Sequence, residues 1–347
     1  MRNKSMRHTA LATLVTVVAA GCGFMTGDES GSSDGSCTSQ DLRLATIRAE
    51  SDPATLGAEK FADLVAEATD DRIQVRVFPN SQLGDFNSIF AGLSAGQEVD
   101  IFYEGISIYP TLEGAGAFTV TSVPFLWDSY EQLMKVLHTD RFTELLDEAA
   151  EDTGVRVIAI EGDAEPRALS ADRPIETPED MEGLKLRIAE APMPQAFARA
   201  LGAEPEVIEF ADLYLALRQG VADGQENGAI TMVNQSLDEV QEYYMPTNYI
   251  LDARSWYVSD DWWNGLCSDD RKVITEAAVE AGKYNTTQAE KQLRDAEKEL
   301  ESTLTVVQPD IDAFKQALDG EFETFDGDLW PKGLLAEVER LKRQVGK

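Results

Sequence analysis

Arg187 is the residue of this sequence whose type and position best fit the binding of an anion. It lies in the run LKLRIAEAP, residues 184–192, where Leu184, Leu186 and Ile188 alternate with other residue types in the period-two pattern of a half-buried strand. A guanidinium stays charged and presents a planar fork of donors that can bind a carboxylate through two hydrogen bonds. Two other interpretations stay open: a solvated strand end, and a structural ion pair with one of the many acidic residues.

Side chains suited to catalysis are scarce in this chain. His8 and His138 are its only histidines, and His138 lies within a helical pattern. Without a cysteine cluster they cannot build a multi-histidine zinc site, and no glycine-rich phosphate-binding motif occurs. Paired carboxylates can do acid-base chemistry, but no pair stands out among 63 acidic residues. The sequence therefore predicts a protein that is not an enzyme, with no catalytic residue, metal or cofactor.

The first 22 residues indicate export. Basic residues precede the mostly apolar stretch LATLVTVVAA, which is too short to span a bilayer. The small residues before Cys22 resemble a bacterial lipobox, in which the cysteine is lipidated and starts the mature chain; an ordinary secretory signal is the alternative. We expect a lipoprotein signal peptide at 1–21, a flexible Gly/Ser/acidic tether at 22–40, and anchoring to the outer face of the cell membrane. Cys37 and Cys267 can pair in such a compartment, but their spacing leaves a disulfide open.

Acidic residues dominate the composition. The chain has 63 aspartates and glutamates against 30 lysines and arginines, a net charge of −33. Such a surface repels nucleic acid and anionic lipid, so we expect no nucleic-acid partner. A salty habitat and a need for solubility are both possible reasons for this acidity. An anionic ligand would need local cations that overcome the overall field.

The body of the chain alternates strands with helices in two units. The first runs from the strand LRLATIR through a helix starting near Pro53, the strand RIQVRVF, a second helix and the strand VDIFYEG, an order typical of a largely parallel sheet covered by helices. A second α/β unit begins near residue 165. Residues 268–302 favour one long helix of roughly 50 Å. A coiled coil is the rival interpretation, but apolar residues thin out after Ala289, which favours a rod bracing two lobes.

In this order the segments resemble the solute-binding proteins of tripartite ATP-independent periplasmic (TRAP) transporters, the DctP-type family. The resemblance covers roughly residues 42–340, and its most specific part, Ile175 to Asn227, contains IETPEDMEGLKLRI and ALGAEPEVIEFADLYLALRQGVADGQEN. It implies an α/β, two-lobed periplasmic-binding-protein-like fold with a hinge, mixed mostly parallel sheets and a long helix bracing both lobes. We place lobe 1 at 41–164 with about 251–290, and lobe 2 at 165–250 with about 291–347.

The resemblance also implies a set of ligand-binding residues. Arg187 occupies the position of the carboxylate-clamping arginine, and Arg167, in EPRALS, that of a second arginine that helps to grip the ligand. Asn227, in GQEN, matches a cleft asparagine that can donate to ligand oxygens. The family usually has proline after it, where this chain has Gly228, so the pose of the asparagine is open. Phe210 matches an aromatic residue lining the pocket, a position where a core residue would look identical.

Two further positions complete the predicted site. Glu104 ends the strand FYEG facing the cleft, where it accepts hydrogen bonds from sugar hydroxyls or is simply solvated. Arg254, in DARSWYV, is a possible third cation.

The resemblance finally implies a function. The protein is expected to act as a monomer that captures an organic acid, such as a sugar acid, a dicarboxylate or a keto acid, and delivers it to the membrane subunits of a TRAP permease. The alternatives are a ligand-sensing subunit of a receptor and, less favoured by the residues present, an extracellular hydrolase.

Overall fold

Two mixed β-sheets organise residues 37–346, the part of the chain that the computed structural model describes. In chain order the strands are β1 (Gln40–Ala45), β2 (Ile73–Phe78), β3 (Ile101–Gly105), β4 (Val155–Asp163), β5 (Leu169–Ala171), β6 (Lys185–Ile188), β7 (Glu204–Val207), β8 (Gly224–Gln225), β9 (Tyr243–Met245), β10 (Ala253–Ser259) and β11 (Thr305–Val306). The helices are α1 (Pro53–Ala68), α2 (Phe86–Ser94), α3 (Tyr130–Leu137), α4 (Asp140–Thr153), α5 (Pro192–Ala200), α6 (Leu213–Arg218), α7 (Ala229–Asn234), α8 (Asp260–Gly265), α9 (Ser268–Thr303), α10 (Ile311–Ala317) and α11 (Leu334–Val345).

Each sheet belongs to one lobe. The first sheet has the strand order β2-β1-β3-β10-β4, and the second has the order β11-β9-β5-β8-β6-β7. In the described part of the chain, five of the nine strand pairs are parallel and four are antiparallel. The predicted fold class, an α/β protein with mixed and mostly parallel sheets, is therefore confirmed.

Local sequence signals explain where α1 begins and how it packs. The side chain of Asp52 accepts a hydrogen bond from the backbone N–H of Ala54, and Pro53 occupies the first helical turn, where its missing N–H costs nothing. Phe61 and Val65 are fully buried on the face that the periodicity predicts. The helix thus starts at the predicted residue.

Strand β6 differs from its prediction in one respect that matters for the site. The alternating pattern predicts a half-buried strand, but Leu186, Arg187 and Ile188 are all buried, and only Lys185 is exposed. The reason is the position of β6 between β7 and β8, parallel to both, because a parallel strand inside a sheet is covered on both faces. Arg187 therefore does not lie at a solvated strand end.

Two chain segments that connect the sheets lie side by side. Residues 164–168 lead from β4 to β5, and residues 246–252 lead from β9 to β10. They are hydrogen-bonded to each other, since Arg167 N–H donates to the carbonyl of Ile250 at 2.9 Å and Tyr249 N–H donates to that of Arg167 at 3.2 Å. This pair is the place where a hinge between the lobes can bend.

Helix α9 contacts both lobes, as predicted from its composition. At 36 residues it is roughly 54 Å long. It packs against α1 and β4 of the first lobe and against α7 and β11 of the second. The last helix, α11, lies against α3, where Lys342 donates to the carbonyl of Leu126. The outer lobe boundaries stay a prediction.

A disulfide joins Cys37 to Cys267, which resolves the pairing that the sequence left open. It links the residue three positions before β1 to the N-cap of α9 across a separation of 230 residues. No helix of the described residues is both long and apolar enough to cross a membrane.

We predict that this disulfide stabilises the first lobe substantially. A bridge that closes so long a loop restricts the unfolded chain and stabilises a protein by roughly 2–5 kcal/mol. Replacing both cysteines by serine should lower the melting temperature, and reducing the wild-type protein should lower it to the same value. A reductant should have no effect on the double variant. Equal melting of oxidised wild type and double variant would contradict the prediction.

Candidate ligand-binding site

The guanidinium of Arg187 is buried and only partly hydrogen-bonded. The residue is 1% exposed, and its Nε donates to the carbonyl oxygen of Ile208 at 2.8 Å. Its Nη2 is buried and has no hydrogen-bond partner among the described residues. Burial lowers the pKa of Arg187 to about 10, against the opposing effect of the Glu226 carboxylate. The side chain therefore stays charged at neutral pH with one arm of its fork unused.

Phe210 lies between two guanidinium groups. Its ring centroid is 6.0 Å from Cζ of Arg187 and 4.9 Å from Cζ of Arg48. Both distances lie within the range of cation–π attraction, which is stronger where water is excluded, as it is around this buried ring. Phe210 therefore connects the arginine of the second lobe to one from the first.

Glu104 binds two arginines of the first lobe. Nε and Nη2 of Arg48 donate to its two carboxylate oxygens at 2.8 Å each, and Nη1 of Arg254 donates to Oε1. Burial alone would raise the pKa of Glu104, but the charges of Arg254 and Arg48 hold it at about 2. Its carboxylate is thus engaged with cations, and Nε of Arg254 has no partner among the described residues. The three side chains together carry one net positive charge.

Arg167 is held by a fully buried carboxylate. Its Nη1 donates to both oxygens of Glu226, at 2.8 and 2.7 Å, and the hydroxyl of Tyr249 donates to one of them at 2.7 Å. Glu226 is 0% exposed. Arg167 and Glu226 also influence the pKa of Arg187 in opposite directions. The predicted second arginine therefore lies close to the first, with most of its charge balanced.

Asn227 is buried beside this pair, but its amide nitrogen is directed at Gln225. Both its backbone N–H and its Nδ2 donate to Oε1 of Gln225, at 2.6 and 2.7 Å. Gly228 follows because the backbone there is crowded: an added Cβ would lie 2.4 Å from the carbonyl oxygen of Pro166 and 2.6 Å from Oε2 of Glu165. A proline at this position would meet the same two oxygens.

Sequence reasoning missed three charged residues of this network, Arg48, Glu165 and Glu226. Arg48 lies at the carboxyl end of the predicted strand LRLATIR, and in open α/β sheets ligands bind at such ends, so a signal was present. Glu165 is one acid among 63 and carries no such signal. It is 7% exposed, and its carboxylate accepts from the backbone N–H of Ile230 at 2.8 Å and from the hydroxyl of Thr231.

The two lobes meet around these residues. Arg48 donates to the hydroxyl of Thr231 at 3.4 Å, and Asn87 donates to Glu190 at 2.8 Å. Beside Phe210 the lobes enclose a cavity of about 220 Å³. Ile47, Ser81, Gly84, Asp85 and Phe86 line it from the first lobe, and Glu209, Phe210, Ala211 and Asp212 line it from the second.

Within residues 37–346 the one grouping of potential metal ligands is Cys37, Cys267 and Asp270, and none of the site residues described above belongs to it. Its two sulfur atoms are bonded to each other, so they are not available as thiolates.

Two lobes joined by a hinge, with buried arginines between them, define a binding protein that holds its ligand at the lobe interface. Residues 44–327 match the family described as bacterial extracellular solute-binding protein, family 7. The chain belongs to this family, which confirms the resemblance inferred from the sequence. It is a TRAP-type solute-binding protein and not an enzyme.

Individual relatives agree with this assignment. A solute-binding protein of Roseobacter denitrificans is 31% identical over 280 residues, 80% of this chain and 84% of the relative. The C4-dicarboxylate-binding periplasmic protein of Rhodobacter capsulatus is 31% identical over 243 residues, 70% of this chain and 72% of the relative. The crystal structure of a TRAP periplasmic solute-binding protein from Roseobacter denitrificans with bound L-galactonate superposes with a TM-score of 0.80 at 29% identity, covering 88% of this chain and 99% of that one.

We expect the buried carboxyl of Glu165 to make the folding stability of the protein depend on pH. Burial raises its pKa from 4.5 to about 7, so the folded state binds more protons than the unfolded chain between these values. Stability should therefore fall as pH rises through this window, by up to roughly 3 kcal/mol. Asp163, whose pKa burial raises to about 6, acts in the same direction but below pH 6. We predict that Glu165→Gln removes the decline between pH 6 and 7.

Denaturant unfolding at several pH values measures this effect. The readout is the slope of the unfolding free energy against pH. The absolute free energy is not suitable, because the glutamine side chain of the variant also loses hydrogen bonds and lowers stability at every pH. The exposed Glu50 supplies the matched control, and Glu50→Gln should keep the wild-type slope. An unchanged slope in Glu165→Gln would show that this carboxyl is already ionised.

Proposed function

We propose that the protein captures an organic acid between its lobes and that the ligand carboxylate binds Arg187. The observation that carries this proposal is the buried Nη2 without a partner among the described residues. An unpaired buried cation is costly, and a carboxylate supplies both the missing charge and the missing acceptor. The relatives support this class of ligand, since one binds L-galactonate and another is named for C4-dicarboxylates, and both ligands carry a carboxylate.

The neighbouring residues would complete the clamp. Arg167, positioned by Glu226, supplies a second cation near the carboxylate, and Phe210 supplies an apolar wall. Asn227 would turn its amide from Gln225 to a ligand oxygen. Glu104 would act through the cations that it orders, Arg48 and Arg254, rather than through ligand hydroxyls.

Delivery would follow capture. Residues 1–21 would be removed as a signal peptide, and a lipid on Cys22 would hold the mature protein at the outer face of the cell membrane. The protein would act there as a monomer and hand its ligand to the membrane subunits of a TRAP permease. Cys22 and the segment 1–21 lie outside the described residues, so these statements rest on the sequence. The family membership supports the extracytoplasmic location and the permease partner.

Substitution of Arg187 tests the clamp. A thermal-shift screen of organic acids identifies a ligand, because binding to the folded state alone raises its stability. Calorimetric titration of Arg187→Lys with that acid should then show an affinity roughly 10- to 100-fold lower, since lysine keeps the charge but loses the fork. Arg187→Ala should bind more weakly still.

The unliganded variants separate a clamp from a structural ion pair. Among the described residues Arg187 forms one hydrogen bond, to a backbone carbonyl, so its replacement should change the melting temperature of the unliganded protein little. The exposed Arg218 serves as the control, and Arg218→Lys should bind like wild type. Intact affinity with a large loss of unliganded stability would assign Arg187 a structural role, and a shift by neutral sugars alone would overturn the carboxylate proposal.

Lipidation of Cys22 is tested by mass spectrometry of the membrane fraction. We expect a mature polypeptide that starts at Cys22 and carries diacylglycerol. A residue that carries more than one acyl chain holds a protein stably on a bilayer. Cys22→Ala should abolish the modification and release the protein from the membrane. A wild-type chain that starts elsewhere, or an unmodified Cys22, would contradict the proposal.

A further inference from the structure

Glu209 lies close to Arg187 in the fold, and one oxygen of its carboxylate accepts no hydrogen bond from the described residues. Its Oε2 is buried and has no hydrogen-bond partner within the described part of the chain. It follows Ile208, whose carbonyl receives Nε of Arg187, and precedes Phe210, over which that guanidinium lies. Two unsatisfied atoms of opposite character, Nη2 of Arg187 and Oε2 of Glu209, therefore flank the same short segment of chain.

The cavity beside this segment has an acidic wall. Glu209, Asp85 and Asp212 line its volume of about 220 Å³. Burial raises the pKa of Glu209, and Asp85, Glu190 and Asp212 raise it further, whereas Arg187 lowers it. One oxygen of Asp85 is already taken by the N–H of Ser88 at 2.7 Å. Of these acids Glu209 is the one that offers a buried, unused oxygen.

We propose that Glu209 is a specificity-determining residue that makes the site select hydroxy acids with a single carboxylate over dicarboxylates. This inference rests on the proposed binding of a carboxylate by Arg187. A carboxylate accepts hydrogen bonds and cannot donate them when ionised, so a ligand hydroxyl satisfies Oε2. A second ligand carboxylate would bring like charge against Glu209, Asp85 and Asp212, and this repulsion lowers the affinity for a dicarboxylate.

A ligand ammonium group would also satisfy a carboxylate, but its surroundings disfavour it. The charges that act on Arg187 include those of Arg48 and Arg167, so a further cation at the clamp would be repelled. A neutral hydroxyl donor suits both the acidic wall and the neighbouring arginines. The ligand class that fits is a short sugar acid with a carboxylate at one end.

Two matched pairs of acids test this inference by calorimetric titration. Galactonate and galactarate share the configuration of C2–C5 and differ at C6, which is a hydroxymethyl group in galactonate and a carboxylate in galactarate. Erythronate and meso-tartrate differ in the same way at C4. Wild type should bind the monocarboxylate of at least one pair about tenfold or more tightly than the dicarboxylate. Glu209→Gln removes the charge at constant shape, so that preference should fall by about tenfold or more.

The control variant for Glu209, and the results that would contradict its role, differ from those that test the carboxylate clamp at Arg187. Glu204 is exposed on the same segment of chain, and Glu204→Gln should keep the wild-type preference. The role of Glu209 is overturned if the wild-type protein binds neither monocarboxylate or prefers a dicarboxylate. It is also overturned if the wild type binds the 2-amino-2-deoxy analogue of galactonate more tightly than galactonate, or if Glu209→Gln keeps the wild-type preference. The clamp itself fails only if no carboxylate in the wider screen binds or if Arg187→Lys binds as wild type does.

Discussion

A buried guanidinium that lacks part of its hydrogen bonding is the constraint on which this structure depends. Arg187 sits on an internal strand, where a charge is costly unless it is compensated. The protein holds it with one backbone carbonyl, the ring of Phe210 and the nearby charge of Glu226. These contacts keep the cation in place without neutralising it, and its Nη2 has no partner among the described residues. In the proposed function this donor would bind the ligand carboxylate.

The local charge balance opposes that of the whole molecule. The chain has a net charge of −33, and such a field repels an anionic solute. At the lobe interface, Glu104 and Glu226 bind arginines instead of facing the solvent. Each of these two buried acids is outnumbered or matched by cations, and the guanidinium of Arg187 keeps a donor without a partner among the described residues. Charge complementarity here is a property of a few residues and not of the composition.

The sequence was sufficient for the order of elements, and it named several residues that the structure brings together in the candidate site, whose roles stay predictions. Helical periodicity predicted α1, a helix-favouring composition predicted α9, and the position of Arg187 near a strand end pointed to an anion. Burial of Arg187 could not be predicted, because it depends on β7 and β8 lying on both sides of β6. The partners of Glu104 and the pairing of Cys37 with Cys267 were also out of reach, since they join residues distant in sequence. Such pairings follow from the folded topology and not from local pattern.

Closure of the lobes and assembly of the site are the same event in this structure. Arg48 binds Glu104 within the first lobe, but it reaches Thr231 and the ring of Phe210 in the second. Phe210 in turn lies beside Arg187. The contacts that link Arg48, Phe210 and Arg187 therefore form only when the lobes meet. Bringing these guanidiniums together raises their mutual repulsion, and a bound carboxylate offsets it. On the proposed function, a ligand of that charge would bind the closed arrangement better than an open one and would shift the population of the protein toward closure.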